Sequence, residues 1–333
     1  MAILMLRASR YLHVILALGD KDQKLIIFMK QIPSLKNHSG FTLVELLVAM
    51  MITIVLLGVL VYLTAISMDT YRDSRNEVRA SRQAKEALET ISKDLESMVS
   101  RRDGNTYEWL YAGVEPRGLE GPDGREITNA SQLIFFTGAT DRYNGKIGTA
   151  DDKGGDVSAV TYRLVYRDQI GNTDSDEFAV FSLYRHLVNP DEAFDLLAVD
   201  DLKTTSSNVF NDTKDLTAEN FLVENIYEFT FTMLVEYTET SGGSTVTRIE
   251  RVSLMQDAAA SGGFQEFRLK GNAIELTPAM AELANGRILG AEVSITVLTD
   301  RGITLAKRSG LPVEELIKKH SYHFTKSIIT PRP

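Results

Sequence analysis

Hydrophobic positions follow three different patterns along the chain. From Phe41 to Leu63 they are nearly continuous, with Glu45 as the only formal charge. About 20 consecutive apolar residues are what a helix needs to cross a bilayer, so this run reads as a membrane span. A secretory signal peptide would have a shorter apolar core followed by a small-residue cleavage site. Here Gly40 precedes the run and no A-x-A-like site follows it, so the span is expected to stay in the mature chain.

The second pattern is helical. In "SMDTYRDSRNEVRASRQAKEALETISKDLESMVSRRDG", Ala84, Leu88, Ile91, Leu95 and Met98 recur at steps of four and three, a narrow stripe suited to lie on a sheet. Asp103-Gly104 supplies the expected stop, because glycine accepts the left-handed conformation at a helix C-terminus. The spacing therefore predicts one helix from about 41 to 100, about 90 Å long at 1.5 Å per residue. No proline occurs between Pro33 and Pro116, so a bend would have to arise at Gly58 or be absent.

The third pattern, after Gly104, has period two. Candidate strands are "QLIFFT" from Gln132, "DVSAVTYRLVY" from Asp156, "EFAVFSLYRHLV" from Glu177, "NIYEFTFTMLVEY" from Asn225, "TVTRIERVSL" from Thr245, "AEVSITVLT" from Ala291 and "ITLAKR" from Ile303. Tyr227, Phe229, Phe231 and Met233 alternate with Glu228, Thr230 and Thr232, as a strand with one buried face does, and that face is expected to pack on the helix. The fold class is α+β, a long N-terminal helix on an antiparallel sheet domain. The expected divisions are 1–40 as leader, 41–63 as span, 64–103 as the rest of the helix and 104–333 as the β-rich domain.

Composition removes several kinds of chemistry. The net charge of −9 comes from interspersed acids and bases, with no basic stripe able to track a phosphate backbone, so nucleic acid is not an expected partner. There is no cysteine, which excludes disulfides, thiolate nucleophiles and cysteine zinc sites. No G-x-S-x-G elbow, H-E-x-x-H, P-loop or G-x-G-x-x-G after a strand occurs; no catalytic residue and no cofactor are expected, and the chain does not read as an enzyme. His320 and His323, read as lying on one strand, would face opposite sides and not share a metal. Two acidic loops, one with Asp141, Asn144, Asp151, Asp152 and Asp156 and one with Asn172, Asp174, Asp176 and Glu177, hold oxygens of the kind calcium uses. Neither has the EF-hand order, and both read as solvated loops without a metal.

One residue needs a special explanation. A carboxylate within a membrane helix costs roughly 2.5–3.5 kcal/mol on insertion scales unless it is paired, yet Glu45 stands near the start of the span. The stretch Gly40-Phe41-Thr42-Leu43-Val44-Glu45, followed by "LLVAMMITIVLLGVL", resembles the prepilin-type signal of type IV pilins and type II secretion pseudopilins. The resemblance implies cleavage by the membrane-embedded prepilin peptidase after Gly40 on the cytoplasmic side. It further implies N-methylation of Phe41 as the new terminus, and Glu45 as the family's glutamate at the fifth mature position. Cleavage would create an ammonium at Phe41, normally titrating near pH 7.7–8.0 and still charged after methylation. When subunits stack, that ammonium can meet the Glu45 of a neighbour in a charge-assisted bond, so Glu45 is expected to set register in assembly.

The same resemblance implies other pilin-like subunits, an inner-membrane assembly platform and the lipid bilayer as partners, and a single-pass protein of the inner membrane with its C-terminal domain in the periplasm. The chain from "FLVENIYEFTFTMLVEY" to "GAEVSITVLTDRGITL" resembles the second half of J-type minor pseudopilins, including their late strand with a tight turn. The stretch "FAVFSLYRHLVNPDEAF" resembles cassette-C members of the Verru_Chthon group of prepilin-like proteins. The K-type tip subunit characteristically lacks the glutamate, so retention of Glu45 points to J-, I- or H-like roles. A singly anchored periplasmic binding module, processed by the same peptidase but not built into a fibre, is the alternative. Finally, Met29 begins "MKQIPSLKNHSG", a compact lysine-bearing leader, whereas 1–28 has apolar patches foreign to such a leader; translation is expected to start at Met29.

Overall fold

The computed structural model describes residues 42–330 apart from 102–103, 115–118, 122–125, 128, 139–147, 151, 154, 169–177, 242–243, 257–261 and 309–312. The chain divides between Leu63 and Thr64 into two units. Helix α1 (Leu43–Glu96) supplies all the described helix of the first unit and continues unbroken into the second. Within the first unit every described side chain of α1 is exposed, and the apolar window that qualifies it to cross a membrane is 0 % buried. A surface of leucine, valine, isoleucine and methionine this continuous has no reason to persist in water, and it matches what lipid tails would cover.

In the second unit α1 becomes amphipathic. Its buried residues are Ala80, Ala84, Ala87, Leu88, Ile91, Ser92, Asp94 and Leu95, so small alanines at the start of the stripe give way to larger side chains. The predicted stripe Ala84, Leu88, Ile91, Leu95 and Met98 is buried throughout.

The helix ends at Glu96, earlier than the predicted stop at Asp103-Gly104. Sheet-type bonds take over from helical ones at that point. Val99 N donates to Phe136 O at 2.9 Å, Gly138 N donates to Ser97 O at 2.9 Å, and Met98 bridges Thr137. Gly104 does adopt the left-handed region, at φ 69°, but it serves a turn outside the helix.

Thirteen strands follow among the described residues. In chain order they are β1 (Glu108–Val114), β2 (Leu119–Glu120), β3 (Glu126–Ile127), β4 (Ser131–Thr137), β5 (Ser158–Asp168), β6 (Ala179–Val188), β7 (Phe221–Glu224), β8 (Ile226–Ser241), β9 (Ser244–Ser253), β10 (Glu266–Lys270), β11 (Ala273–Thr277), β12 (Arg287–Leu298) and β13 (Ser321–Ile329). They form a seven-stranded sheet in the order β11-β10-β1-β4-β5-β6-β7, a four-stranded sheet in the order β13-β12-β8-β9, and the small pair β2-β3. All ladders are antiparallel.

Cross-strand partners share a face, so the registers Leu110↔Phe135↔Val160 and Leu133↔Tyr162↔Arg185 define one side of the large sheet. This side joins the buried stripe of α1 and the inner face of β8, with Phe229, Phe231, Met233 and Val235, in one core. The opposite side is covered by short helical turns between 190 and 215. There Arg163 pairs with Asp212 and Asp215, and His186 Nδ1 lies 2.7 Å from Asp215. With both faces covered, β4 is buried at every position except Gln132, and β5 is buried from Ser158 to Tyr162, without alternation.

One predicted strand is a helix. "ITLAKR" lies in α2 (Asp300–Arg308), which is followed by α3 (Val313–His320) and then β13. Thr299 caps α2: its hydroxyl accepts from Gly302 N at 3.1 Å and its carbonyl from Ile303 N at 3.0 Å. Ile303 then packs with Phe181, Tyr227 and Leu298. The tight turn expected after β12 is therefore replaced by a helical pair leading to β13.

Candidate functional site

Glu45 sits in the first turn of α1, and its partner in this structure is its own chain. Thr42 N and Thr42 Oγ1 donate to Glu45 Oε2 at 2.9 and 3.0 Å, while Glu45 N donates to Thr42 Oγ1 at 3.3 Å. This reciprocal pattern is a capping box, in which a threonine at the helix start and a glutamate three residues on satisfy backbone donors that the helix leaves free. The T-x-x-E spacing was present in the sequence, and it accounts for α1 beginning at Leu43. Thr42 is thus a site residue that sequence reasoning passed over. Glu45 Oε1 takes no partner among the described residues. Gly40 and Phe41, the expected cleavage and methylation positions, lie outside the described residues.

Two charged nodes fix the second-unit part of α1 to its domain. In the first, Asp94 accepts from Arg185 Nε at 2.7 Å, from Arg185 Nη2 at 2.9 Å and from Tyr162 OH at 2.5 Å. All three side chains are buried, and burial beside Asp94 pushes the Tyr162 hydroxyl well above its usual range. In the second, Arg79 forks between Asp300 of α2 at 2.5 Å and Glu224 of β7 at 2.6 Å, on the surface. The available signals for the first node were Asp94 three residues after Ile91, in line with the apolar stripe of the helix, and Arg185 within "FSLYRHLV".

A further carboxylate is buried with one oxygen lacking a hydrogen bond. Glu108 is fully buried on β1, where Oε2 accepts from Leu202 N at 2.5 Å and Oε1 makes no hydrogen bond. Burial pushes its pKa up to about 7, against the lowering effects of the Leu202 bond and of Arg268 and Lys270.

The expected inert groups are distributed as follows. His320 closes α3, whereas His323 lies on β13 between Thr296 and Thr325, at 3.2 and 3.1 Å. They share no strand, contrary to the sequence reading, because the chain changes from helix to strand between them. Among the described residues no cluster of histidine and acid side chains is placed to hold a metal. Of the acidic loops, Asp152 accepts from Gly148 N at 2.9 Å, and Asp156 is also described. Asp141, Asn144, Asp151, Asn172, Asp174, Asp176 and Glu177 lie outside the described residues.

The family model described as a prokaryotic N-terminal methylation motif matches residues 35–61. The chain carries a prepilin-type signal. The match spans Gly40, Phe41, the Thr42–Glu45 box and most of the apolar run, and it leaves the second unit unassigned. A type IV-like pilin from Thermus thermophilus aligns over 77 % of this chain and 97 % of its own length, with 10 % identity and a TM-score of 0.29. No curated protein matches the chain in sequence.

Proposed function

We propose that the chain is a membrane-anchored structural subunit of a pilin-like fibre. In this reading prepilin peptidase cuts after Gly40, Phe41 becomes the methylated N-terminus, residues 41–63 stay in the inner membrane and the domain from 64 onward faces the periplasm. The finer assignment is a minor pseudopilin of a type II secretion-like or type IV pilus-like machine, with J-type character suggested by the β8 and β12 stretches. Its partners would be the peptidase, other pilin-like subunits, the assembly platform and the bilayer.

The prepilin-type signal joined directly to an exposed apolar helix is the observation that carries this reading. The chemistry of Glu45 is compatible with it. The capping box uses Oε2, which leaves Oε1 to accept the Phe41 ammonium of a neighbouring subunit. Assembly thus needs no break in the helix cap.

The box also favours a second reading. A glutamate satisfied by Thr42 has a helix-starting task without any neighbour, as a singly anchored periplasmic module would require. Isolation of the membrane-extracted chain from cells with and without the peptidase separates the two. A fibre subunit co-purifies with other pilin-like proteins only when the peptidase is active. A module is processed but isolates alone.

A further inference from the structure

Among the described residues the four-stranded sheet ends in two edge strands, β9 and β13, and only the Ser253 end of β9 is covered, where Phe264 N donates to Ser253 O at 2.9 Å. Among the described residues outside α1, the exposed large hydrophobic side chains are Phe178, Phe194, Val246, Ile249 and Ile329, and three of these five lie on those edge strands. Free edges with exposed aliphatics are templates for pairing unless something blocks them. Among the described residues each edge carries one inward-facing charge without an ion-pair partner; the other inward charge of β9, Arg248, pairs with Glu239 of β8 at 2.7 Å. Glu250 of β9 is opposite buried Val235, and Lys326 of β13 is opposite buried Val293, so both point to the core side of the sheet at its rim. Neither has an ion-pair partner among the described residues.

Inward charges at an edge ordinarily discourage pairing. Here their signs differ. Two β9 edges meeting around Glu250, or two β13 edges meeting around Lys326, oppose like charges, whereas a β9 edge meeting a β13 edge opposes acid to base. Strand direction gives the same answer. With four strands in alternating directions, β9 and β13 run opposite ways. A second copy carried sideways in the same orientation therefore brings its β13 antiparallel to β9 of the first.

We propose that a second copy of this chain extends the sheet, the β13 edge of one pairing antiparallel with the β9 edge of the next, in the register that sets Lys326 opposite Glu250. This register keeps both charges on the same face and puts Ile249 diagonal to Ile329, within side-chain reach. The contact is head-to-tail and does not close, as a fibre requires and a symmetric dimer does not. It deepens the fibre reading and rests on it for the shared orientation of the copies.

The chain has no cysteine, so introduced pairs report without background. Glu250→Cys and Lys326→Cys are placed together in the full chain, reconstituted in lipid vesicles and oxidised. The expected product is a ladder of dimers, trimers and larger species. A mixture of the two single variants should stop at the dimer, and each single variant alone should cross-link several-fold less. Glu250→Lys should abolish association at this edge, and Glu250→Lys with Lys326→Glu should restore it. Dimers from Glu250→Cys alone would overturn the proposal in favour of symmetric pairing. A double variant that yields no more product than a pair on β7 and β11 would overturn it outright. If the ladder fails while co-purification with pilin-like proteins persists, the edge contact is wrong and the fibre reading stands.

Discussion

Asp94 of α1 and Arg185 of β6 meet in a two-pronged ion pair at 2.7 and 2.9 Å, with Tyr162 of β5 donating a third bond to the same carboxylate. The pair lies in the core, so its geometry fixes the rotation and height of α1 against the large sheet. Removing one partner leaves the other charge buried and uncompensated. Asp94→Ala should therefore lower the stability of the second unit by about 3–5 kcal/mol, read by denaturant unfolding of the detergent-solubilised chain. Replacing both charges together, as Asp94→Leu with Arg185→Met, should recover a large part of that loss, because neither desolvated charge then remains. Tyr162→Phe should cost only about 1–3 kcal/mol, the range for a buried bond that leaves one acceptor short.

Glu108 predicts a pH dependence of opposite sign to that of an ordinary surface carboxylate. Its folded pKa, about 7, lies above the ordinary glutamate value of 4.5, so the folded state holds the proton more tightly. This contribution is fully present below about pH 4.5 and is lost as pH rises to about 7, a change on the order of 3 kcal/mol. Glu108→Gln keeps an acceptor for Leu202 N, and Arg268 retains Asp201 and Glu266. The variant should melt higher than the parent at pH 8 and converge with it near pH 4. Parallel melting curves of the two proteins across that range would show that Glu108 is not the group responsible.

Processing is tested by intact mass. The membrane-extracted chain should begin at Phe41 with one methyl group, and a gene beginning at Met29 should give the same product. Gly40→Val should leave the leader attached, since a β-branched side chain adds bulk where a bare backbone is expected to enter the peptidase. Ser39, Lys30 or Ala2 as the mature terminus would refute the assignment.

Much of the fold was legible because burial imposes a period. The stripe from Ala84 to Met98 is buried as its spacing required, and β4, β5, β6, β8, β9 and β12 lie where alternation or apolar runs placed them. Errors arose where tertiary context outweighed local pattern. "ITLAKR" has strand-like composition, but the Thr299 cap and the contact of Ile303 with Phe181 and Tyr227 make it helical. β1 and β10 went unread because glycine in "EWLYAGV" and alternating charge in "EFRLK" mask short strands whose stability comes from neighbours. The Thr42–Glu45 box was readable from spacing alone, whereas the meeting of Asp94 with Arg185, 91 residues away in the chain, follows only from the topology.

The most direct test of the fibre reading compares two neighbouring substitutions. Thr42→Val removes the hydroxyl of the helix cap but keeps the Glu45 carboxylate. Glu45→Val removes the carboxylate that would meet the Phe41 ammonium of the next subunit. Both variants should be inserted and processed, and loss of an intramembrane acid should if anything ease insertion. Leaving a neighbour's ammonium buried without its counter-charge costs about 3–5 kcal/mol. Cross-linking and co-purification with pilin-like partners should accordingly survive in Thr42→Val and be lost in Glu45→Val. Assembly of Glu45→Val at the level of the unmodified chain would contradict the account, and equal loss in both variants would reduce Glu45 to a helix cap.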